Sequence, residues 1–285
     1  MGQGVVANAE QREYWNEVSG PKWVAVADWI ESQLSEIGRL ALEASGAKPG
    51  ERVLDVGCGN GFTAIELARR VGETGKVLGL DLSHPMLKDA AVRAQAAGFP
   101  LIRFLQGDAQ TERLDPIYFD LVFSRFGVMF FDDPLAAFAN LARQAQPGAS
   151  LMFSCFREVP QNPFFTEILR LLPERPAPSD PTAPGPFAFA DQDRVIPILR
   201  AGGWDHIAFE KFDFPMIAGA GQDAVDEAVA YFSLIGPAAR AAAEMEGAAR
   251  ERFFGRVRDL CERNCHEGIV ALPAAAWIVS AKKAG

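Results

Sequence analysis

The segment VLDVGCGNG (53–61) carries the chemistry that is easiest to read. A carboxylate, Asp55, closes an apolar run and is followed by Gly57, Gly59 and Gly61 at alternate positions. Without a Cβ the backbone can turn sharply and approach a ligand closely. The helix predicted from Phe62 offers unpaired N–H groups at the same place. Alone, this strand, turn and helix describe a site for a nucleotide-like ligand. Two more acids extend it. Asp81 ends the next apolar run, 20 residues beyond Gly61, where a carboxylate can accept both hydroxyls of a ribose. Asp108, in QGDA (106–109), stands where it could take an adenine amino group. Any one of these acids would serve equally as a helix or turn cap. Three of them at three successive strand ends, with the glycines, form one geometric set, because ligands of open α/β sheets bind at the carboxyl ends of the strands.

The elements that must position this set alternate. Strands are predicted at 52–57, 76–82, 102–107, 119–126 and 150–156, separated by helices at 62–71, 85–97 and 133–146, the last ended by the Pro147–Gly148 turn. Parallel strands need long crossovers and covered faces, so the alternation specifies a doubly wound sheet. Ahead of it, residues 10–46 read as two amphipathic helices bearing Tyr14, Trp15, Trp23 and Trp29. Behind it, residues 173–186 carry six prolines, as a mobile loop or a rigid connector. A helix near 191–201, a strand near 206–215, a helical block over 222–267 and a last strand at 274–283 follow. The expected organisation is an N-terminal helical lid (1–48), a core (49–218) with the Pro-rich insertion, a helical cap (219–273) and a final core strand (274–285).

The motifs are similar to those of the class I S-adenosylmethionine (SAM)-dependent methyltransferases. Within them they resemble most the small-molecule branch of ubiquinone and menaquinone C-methyltransferases and bacterial natural-product enzymes. The resemblance rests on VLDVGCGNG, LDLS with Asp81, GDA with Asp108, FDLVFSRFGVMFF (119–131) and QPGASLMF (146–153). It covers residues 15–156 well and the final strand pair weakly. It implies a Rossmann-like α/β fold with a mostly parallel, seven-stranded sheet, and SAM as cofactor with S-adenosylhomocysteine as product. The contact set it implies runs from Asp55, Gly57, Cys58, Gly59 and Gly61 along the methionine part to Asp81 on the ribose. Leu82 and Met86 pack on the adenine, and Gly107, Asp108 and Ala109 read its edge. Ser124, Arg125 and Phe126 stand near the sulfonium and the acceptor, with Tyr14 and Trp15 supplied by the N-terminal helices. A dinucleotide fingerprint would place two residues before its third glycine, where this chain has one. Asp55 would also repel a pyrophosphate and attract SAM's cationic groups. The Asn/Asp-Pro-Pro-aromatic motif of amino-group methylation is absent after the fourth strand.

Methyl transfer from a sulfonium is an in-line displacement that depends on alignment, and a general base is optional. The candidates for chemistry are Arg125 and His266. Arg125 could bind an acceptor carboxylate or orient a phenolate, or could simply pair with an acid. His266 lies between the helical block and the last strand and could face the acceptor or sit in a loop. His84 starts a helix on the adenine side, and His206 opens a late strand. No His, Asp and Glu stand at metal-ligand spacing, so no metal is expected. Phe126, Met129, Phe130, Phe131, Phe164, Phe165, Phe187, Phe189, Tyr231 and Phe232 are either core or the walls of a capped apolar site.

The bulk properties agree with a small acceptor. The 285 residues are 49% hydrophobic, with a net charge of -9 that offers no general attraction to nucleic acid or an anionic membrane. No apolar run is long enough for stable membrane insertion. Gly2 lacks the Ser or Thr that myristoylation wants, since Val6 stands there, and the N-terminus does not read as a signal peptide. Four scattered cysteines suit a reducing cytoplasm. A monomer or homodimer acting on a small, largely apolar or aromatic acceptor, by O- or C-methylation, is the expectation. The alternatives are a SAM-binding protein without methyl transfer (a regulatory subunit or a cyclase), a nicotinamide oxidoreductase, and an interaction module on a degenerate enzyme fold.

Overall fold

The computed structural model of the chain describes residues 7–114, 118–174 and 180–284. Five parallel strands, β1 (Arg52–Val56), β2 (Lys76–Asp81), β3 (Arg103–Gln106), β4 (Phe119–Arg125) and β5 (Ala145–Phe156), are joined by two later ones, β6 (Trp204–Ala220) and β8 (Ile269–Lys283). Their spatial order is β3-β2-β1-β4-β5-β8-β6, and the two-residue strand β7 (Cys265–His266) hangs on β8. Only β8 runs against its neighbours, pairing antiparallel with both β5 and β6. The sheet is thus mostly parallel, with seven strands along its path, as the sequence led us to expect. Strand order reverses between β1 and β4. Val56 and Arg125 therefore end side by side at the switch point where open α/β sheets hold ligands.

Helices α4 (Phe62–Val71), α5 (His84–Ala96), α6 (Pro134–Gln144) and α8 (Gln192–Ala201) follow the predicted positions closely. Asp133 caps α6 by accepting the Ala136 N–H, and Asp191 caps α8 through the Asp193 N–H. The core between sheet and helices is aromatic: Phe138, Phe153 and Phe189 are fully buried, with ring centroids 5.7–6.0 Å apart. On the opposite face lies α3 (Ala27–Ala44), whose Ile30, Leu34, Ile37 and Ala41 recur at helical spacing and are buried. No described helix is long and apolar enough to cross a membrane.

Four expectations are corrected. The N-terminal region forms three helices, α1 (Ala9–Glu13), α2 (Ser19–Ala25) and α3, with a π-helical turn over Tyr14–Val18 between the first two. The Pro147–Gly148 pair does not end α6 as a turn. It lies within β5, where the register against β4 shifts between Phe119 and Leu121, so a bulge absorbs it. Strand β6 is longer than 206–215. Strand β8 begins at Ile269 rather than 274, inside the stretch assigned to the helical cap. Both extensions arise because β6 and β8 pair with each other beyond the end of β5: β5 stops at the Phe156–Ala276 register, while the ribbon continues to Ala220–Ile269. Cross-strand pairing of this kind is not a local property. Helices α9 (Ala224–Leu234), α10 (Pro237–Ala243) and α11 (Gly247–Arg263) do fall between β6 and β8, and α7 (Pro163–Leu169) follows β5. Within the Pro-rich segment 173–186, residues 175–179 lie outside the described residues.

Phe153 fills the space between α6 and the loop before α8, so Phe153→Ala should cost about 3–5 kcal/mol in urea unfolding with the slope unchanged.

Candidate functional site

The glycine turn lies flat across the ends of β1 and β2. The Leu80 carbonyl accepts the N–H of Gly57 at 2.8 Å and that of Cys58 at 3.3 Å. Asp81 takes the Gly59 N–H at 2.8 Å, and the Cys58 carbonyl takes that of Gly61. All four turn N–H groups named here are thereby spent inside the chain. The three glycines have φ of +67°, +53° and +81°. A Cβ on Gly57 would stand 2.8 Å from the Cα of Gly127, and one on Gly61 2.8 Å from the Cβ of Ala90. Packing by the chain itself, besides ligand approach, requires glycine at these positions. Met86 reaches over the turn, its Cε 2.9 Å from where a Cβ of Gly59 would be.

The acids differ in what they offer. Asp55 is fully buried, and Thr63 donates to one of its oxygens at 2.6 Å; the other has no partner among the described residues. Burial, only partly offset by Thr63 and by the Arg125 charge, raises its pKa from 3.8 to about 7. Its charge is therefore incomplete at neutral pH, which tempers the repulsion argument made from sequence. Asp81 is raised in the same direction by burial, against the N–H groups of Ser83 and Gly59 that it accepts. Asp108 is buried and already engaged: the Asn8 carboxamide donates to both of its oxygens at 2.9 Å, and the Gln110 N–H donates to one. Cys58 is buried, with its thiol pushed well above the ordinary range, so it is no nucleophile.

The end of β4 closes the switch point. Ser124 donates to the Val56 carbonyl at 2.7 Å and accepts the Gly127 N–H at 3.2 Å, which ties β4 to β1. Phe126 has a left-handed backbone, φ +60°, unusual for a bulky residue. That conformation stacks its ring on Phe156 at 4.4 Å. Phe165 and Phe187 complete this cluster, while Phe164 leads on to Tyr231 and Phe232 of α9. Phe131 and Phe189 pack instead in the core around Phe138. For Arg125 the ion-pair alternative describes the structure: Glu31 of α3 accepts from both terminal nitrogens, one at 2.9 Å, and the Leu34 carbonyl lies at 3.5 Å.

The N-terminal segment straps over the adenosine end expected from sequence. Asn8, left-handed at φ +50° and buried, also exchanges hydrogen bonds with Asp132, at 2.6 and 2.7 Å. The Trp15 carbonyl accepts the Ser83 hydroxyl, and its ring packs edge-on against Phe130. Asn16 donates to the Leu82 carbonyl, which Gln106 also reaches. Tyr14 accepts from Arg240 of α10 at 3.0 Å, and Trp29 meets Tyr231, so strap and cap helices touch. Gly107 and Ala109 flank Asp108, bonded to the Asp81 carbonyl and to Asn140 respectively.

Asp55, Gly57, Cys58, Gly59, Gly61, Asp81, Leu82, Met86, Gly107, Asp108, Ala109, Ser124, Arg125 and Phe126 thus come together, with Tyr14 and Trp15 on the strap. His266 does not join them. It is exposed and pairs with Ile269 at the tip of the ribbon, well beyond the end of β5. Asn8, Glu31 and Phe156 were missed in the sequence. Nothing local marks Asn8 or Glu31, whereas Phe156 at the end of a predicted strand carried a usable signal.

Two measurements follow from this geometry. Gly57→Ala should lose about 1–3 kcal/mol of stability by overpacking against Gly127. The folded pKa of Asp55 lies above its ordinary value, so its contribution to unliganded stability is present below pH 3.8 and is lost as pH rises through about 7. Thermal midpoints across this range should show that decline in wild type and a smaller one in Asp55→Asn, where Asp81 still contributes.

A family model for methyltransferase domains matches residues 47–193. The chloroplastic 2-phytyl-1,4-beta-naphthoquinone methyltransferase of Arabidopsis thaliana is 36% identical over 126 residues, 43% of this chain and 48% of that one. A demethylmenaquinone methyltransferase of Renibacterium salmoninarum is 31% identical over 211 residues, 70% of this chain and 85% of that protein. The chain spans about half the length of the first two curated relatives it matches. Among solved structures, a 4+2 cyclase superposes with a TM-score of 0.56 at 18% identity, covering 93% of this chain and 95% of that one. That likeness concerns the fold. With the family model covering half of the sequence and the sheet order in place, the chain belongs to the Rossmann-like, SAM-dependent methyltransferases.

Proposed function

We propose that this protein transfers the methyl group of SAM to a small, largely apolar or aromatic acceptor, at oxygen or carbon. The observation that carries the reading is the polarity of the glycine turn. Its N–H groups at Gly57, Cys58, Gly59 and Gly61 are consumed by Leu80, Asp81 and Cys58. A pyrophosphate would need those donors free. Two buried carboxylates remain, one of them with an unpartnered oxygen, and such groups suit a cationic ligand. The residues therefore fit SAM, whose sulfonium supplies an activated methyl group with a neutral thioether as leaving group.

In this reading Asp55 and the Gly57–Gly61 turn hold the methionine part, and Asp81 the ribose. Leu82, Met86 and the loop of Gly107, Asp108 and Ala109 hold the adenine, with Asn8 sharing Asp108. Ser124 and Phe126 shape the space at the methyl group. Arg125, neutralised by Glu31, contributes to the wall rather than as a free cation. No general base is assigned, and none is required for an acceptor that is already nucleophilic. The N-terminal helices act as a lid and α9–α11 as a cap, which exclude water and must part for entry. The Tyr14–Arg240 and Trp29–Tyr231 contacts between them support this. The Phe126–Phe156–Phe165 cluster supports an apolar acceptor, and the relatives act on naphthoquinone-type and demethylmenaquinone substrates by name. Four free thiols suit a reducing cytoplasm, and we take the chain to act as a monomer or homodimer. A SAM-binding role without methyl transfer is the second reading, kept because a 4+2 cyclase shares the fold.

Thermal unfolding with SAM, S-adenosylhomocysteine, NAD and NADP tests the first reading. A ligand at about 100 times its Kd adds roughly 2.7 kcal/mol. The two sulfur nucleosides should raise the midpoint and the nicotinamide nucleotides should not, and Asp81→Ala should abolish the shift. A shift with NAD alone, or with none of the four, would sink the assignment. Transfer of labelled methyl into phenols and quinols separates the enzyme from the SAM-binding alternative.

A further inference from the structure

Asn8 stands at the start of α1, where an asparagine side chain ordinarily accepts an N–H of the first helical turn, yet it makes no such cap. It is 1% exposed, and its bonds go to two loops instead. The carboxamide nitrogen lies 2.9 Å from both carboxylate oxygens of Asp108 and 3.1 Å from the Gln110 Oε1, in the loop after β3. The carboxamide oxygen accepts the Asp132 N–H at 2.7 Å, and the Asn8 N–H donates to the Asp132 carboxylate at 2.6 Å, in the loop after β4. The Asn8 carbonyl accepts the Arg12 N–H at 2.8 Å. Every polar group of Asn8 is thereby used within the chain. Its φ of +50° narrows the choice of residue further, because asparagine is among the few non-glycine residues that enter the left-handed region readily.

The same bonds leave Asp108 nearly full. A carboxylate offers about four acceptor positions. Asn8 takes one on each oxygen, and the Gln110 N–H takes a second on Oδ1 at 2.9 Å. Among the described residues Oδ2 receives no second donor, and Asp108 is 3% exposed. One hydrogen from a ligand complements that position. The exocyclic amino group of a purine supplies it, whereas a carbonyl at the same ring position would set lone pairs against the carboxylate.

We propose that Asn8 is a positioning residue for adenine recognition: it leaves Asp108 a single acceptor for the amino group and makes that recognition depend on closure of the N-terminal strap. This rests on the methyltransferase reading above and deepens its adenine site. The coupling is geometric. One carboxamide bridges Asp108 and Asp132 on different loops, so the strap and the adenine reader are held together. With the strap open, Asp108 loses the donor that spans both of its oxygens, and its carboxylate turns to water. A nucleoside that bonds the oriented Asp108 favours the closed strap by the same factor by which the closed strap favours the nucleoside.

The test uses the full chain and calorimetric binding of S-adenosylhomocysteine and of S-inosylhomocysteine, in which a carbonyl replaces the amino group. Wild type should prefer the adenosyl compound by about tenfold or more, the discrimination expected of one hydrogen bond to a charged acceptor. Asn8→Gly keeps the left-handed backbone and removes the carboxamide, so it should erase most of that preference while weakening the inosyl compound less. A general loss of structure would weaken both compounds alike. Trypsin cleavage after Arg12, followed by mass spectrometry, reads the strap itself. S-adenosylhomocysteine should slow that cleavage in wild type, and S-inosylhomocysteine should slow it less. Asn8→Asp, which sets a third carboxylate against Asp108 and Asp132, should speed it. An undiminished preference in Asn8→Gly overturns the proposal. So does faster cleavage of wild type with S-adenosylhomocysteine, which would mean that adenine displaces Asn8 from Asp108. If Asn8→Gly does not fold, the wild-type cleavage comparison still decides. If S-adenosylhomocysteine fails to bind wild type, the methyltransferase reading falls and this inference falls with it; if it binds and the two nucleosides are not distinguished, only this inference falls.

Discussion

The capture of the glycine turn by the end of β2 is the constraint on which the rest of the site depends. A backbone with three positive-φ glycines in five residues has no conformational reason to stay in one place. It is held because the Leu80 carbonyl and the Asp81 carboxylate take its N–H groups. That single arrangement fixes the turn and orients Asp81, and it leaves carboxylate oxygens rather than free N–H groups at the switch point. A buried carboxylate normally gives up its charge or finds a partner. Asp55 does some of each, through Thr63 and a raised pKa, so a cationic ligand would restore the charge that burial suppresses.

Around this fixed point the N-terminal segment closes the other strand ends with long-range hydrogen bonds. Asn8 bridges the loops after β3 and β4 through Asp108 and Asp132, and Asn16 binds the Leu82 carbonyl after β2. A segment of about ten residues therefore senses three loops at once. Such a strap is cooperative: loss of one anchor loosens the others, because the ordering entropy has already been spent on the whole segment. One open cleft lies between Ser45, Glu51, Asp120, Pro147 and Lys282, at the amino-terminal edge of the sheet.

The β6–β8 ribbon does the complementary work from the other side. By outrunning β5 it carries α9 over the carboxyl ends of the strands, and Gly219 lets the ribbon touch that helix, since a Cβ there would stand 2.0 Å from the Ala224 carbonyl oxygen. The price is an exposed tip, on which His266 sits away from any chemistry. The strained Phe126 backbone is retained where the Ser124 bonds and the Phe156 stack both restrain it.

Local chemistry decided much of this protein. The periodicities of β1–β5 and of α4, α5 and α6 survive almost unchanged, because their apolar patterns, caps and glycines are short-range signals. The glycine turn with Asp81 and Asp108 was legible for the same reason, since strand-end acids need no distant partner to be recognised. Tertiary structure alone decided which side chains those acids meet. Asn8 reaches Asp108 across 100 residues, and Glu31 reaches Arg125 across 94. The lengths of β6 and β8 belong to the same class, because strand pairing is a bond between segments that no window along the chain contains. Sequence by itself determined where the backbone turns sharply at the switch point, through conformations that favour glycine; tertiary packing determined which polar groups are left unpaired beside that turn.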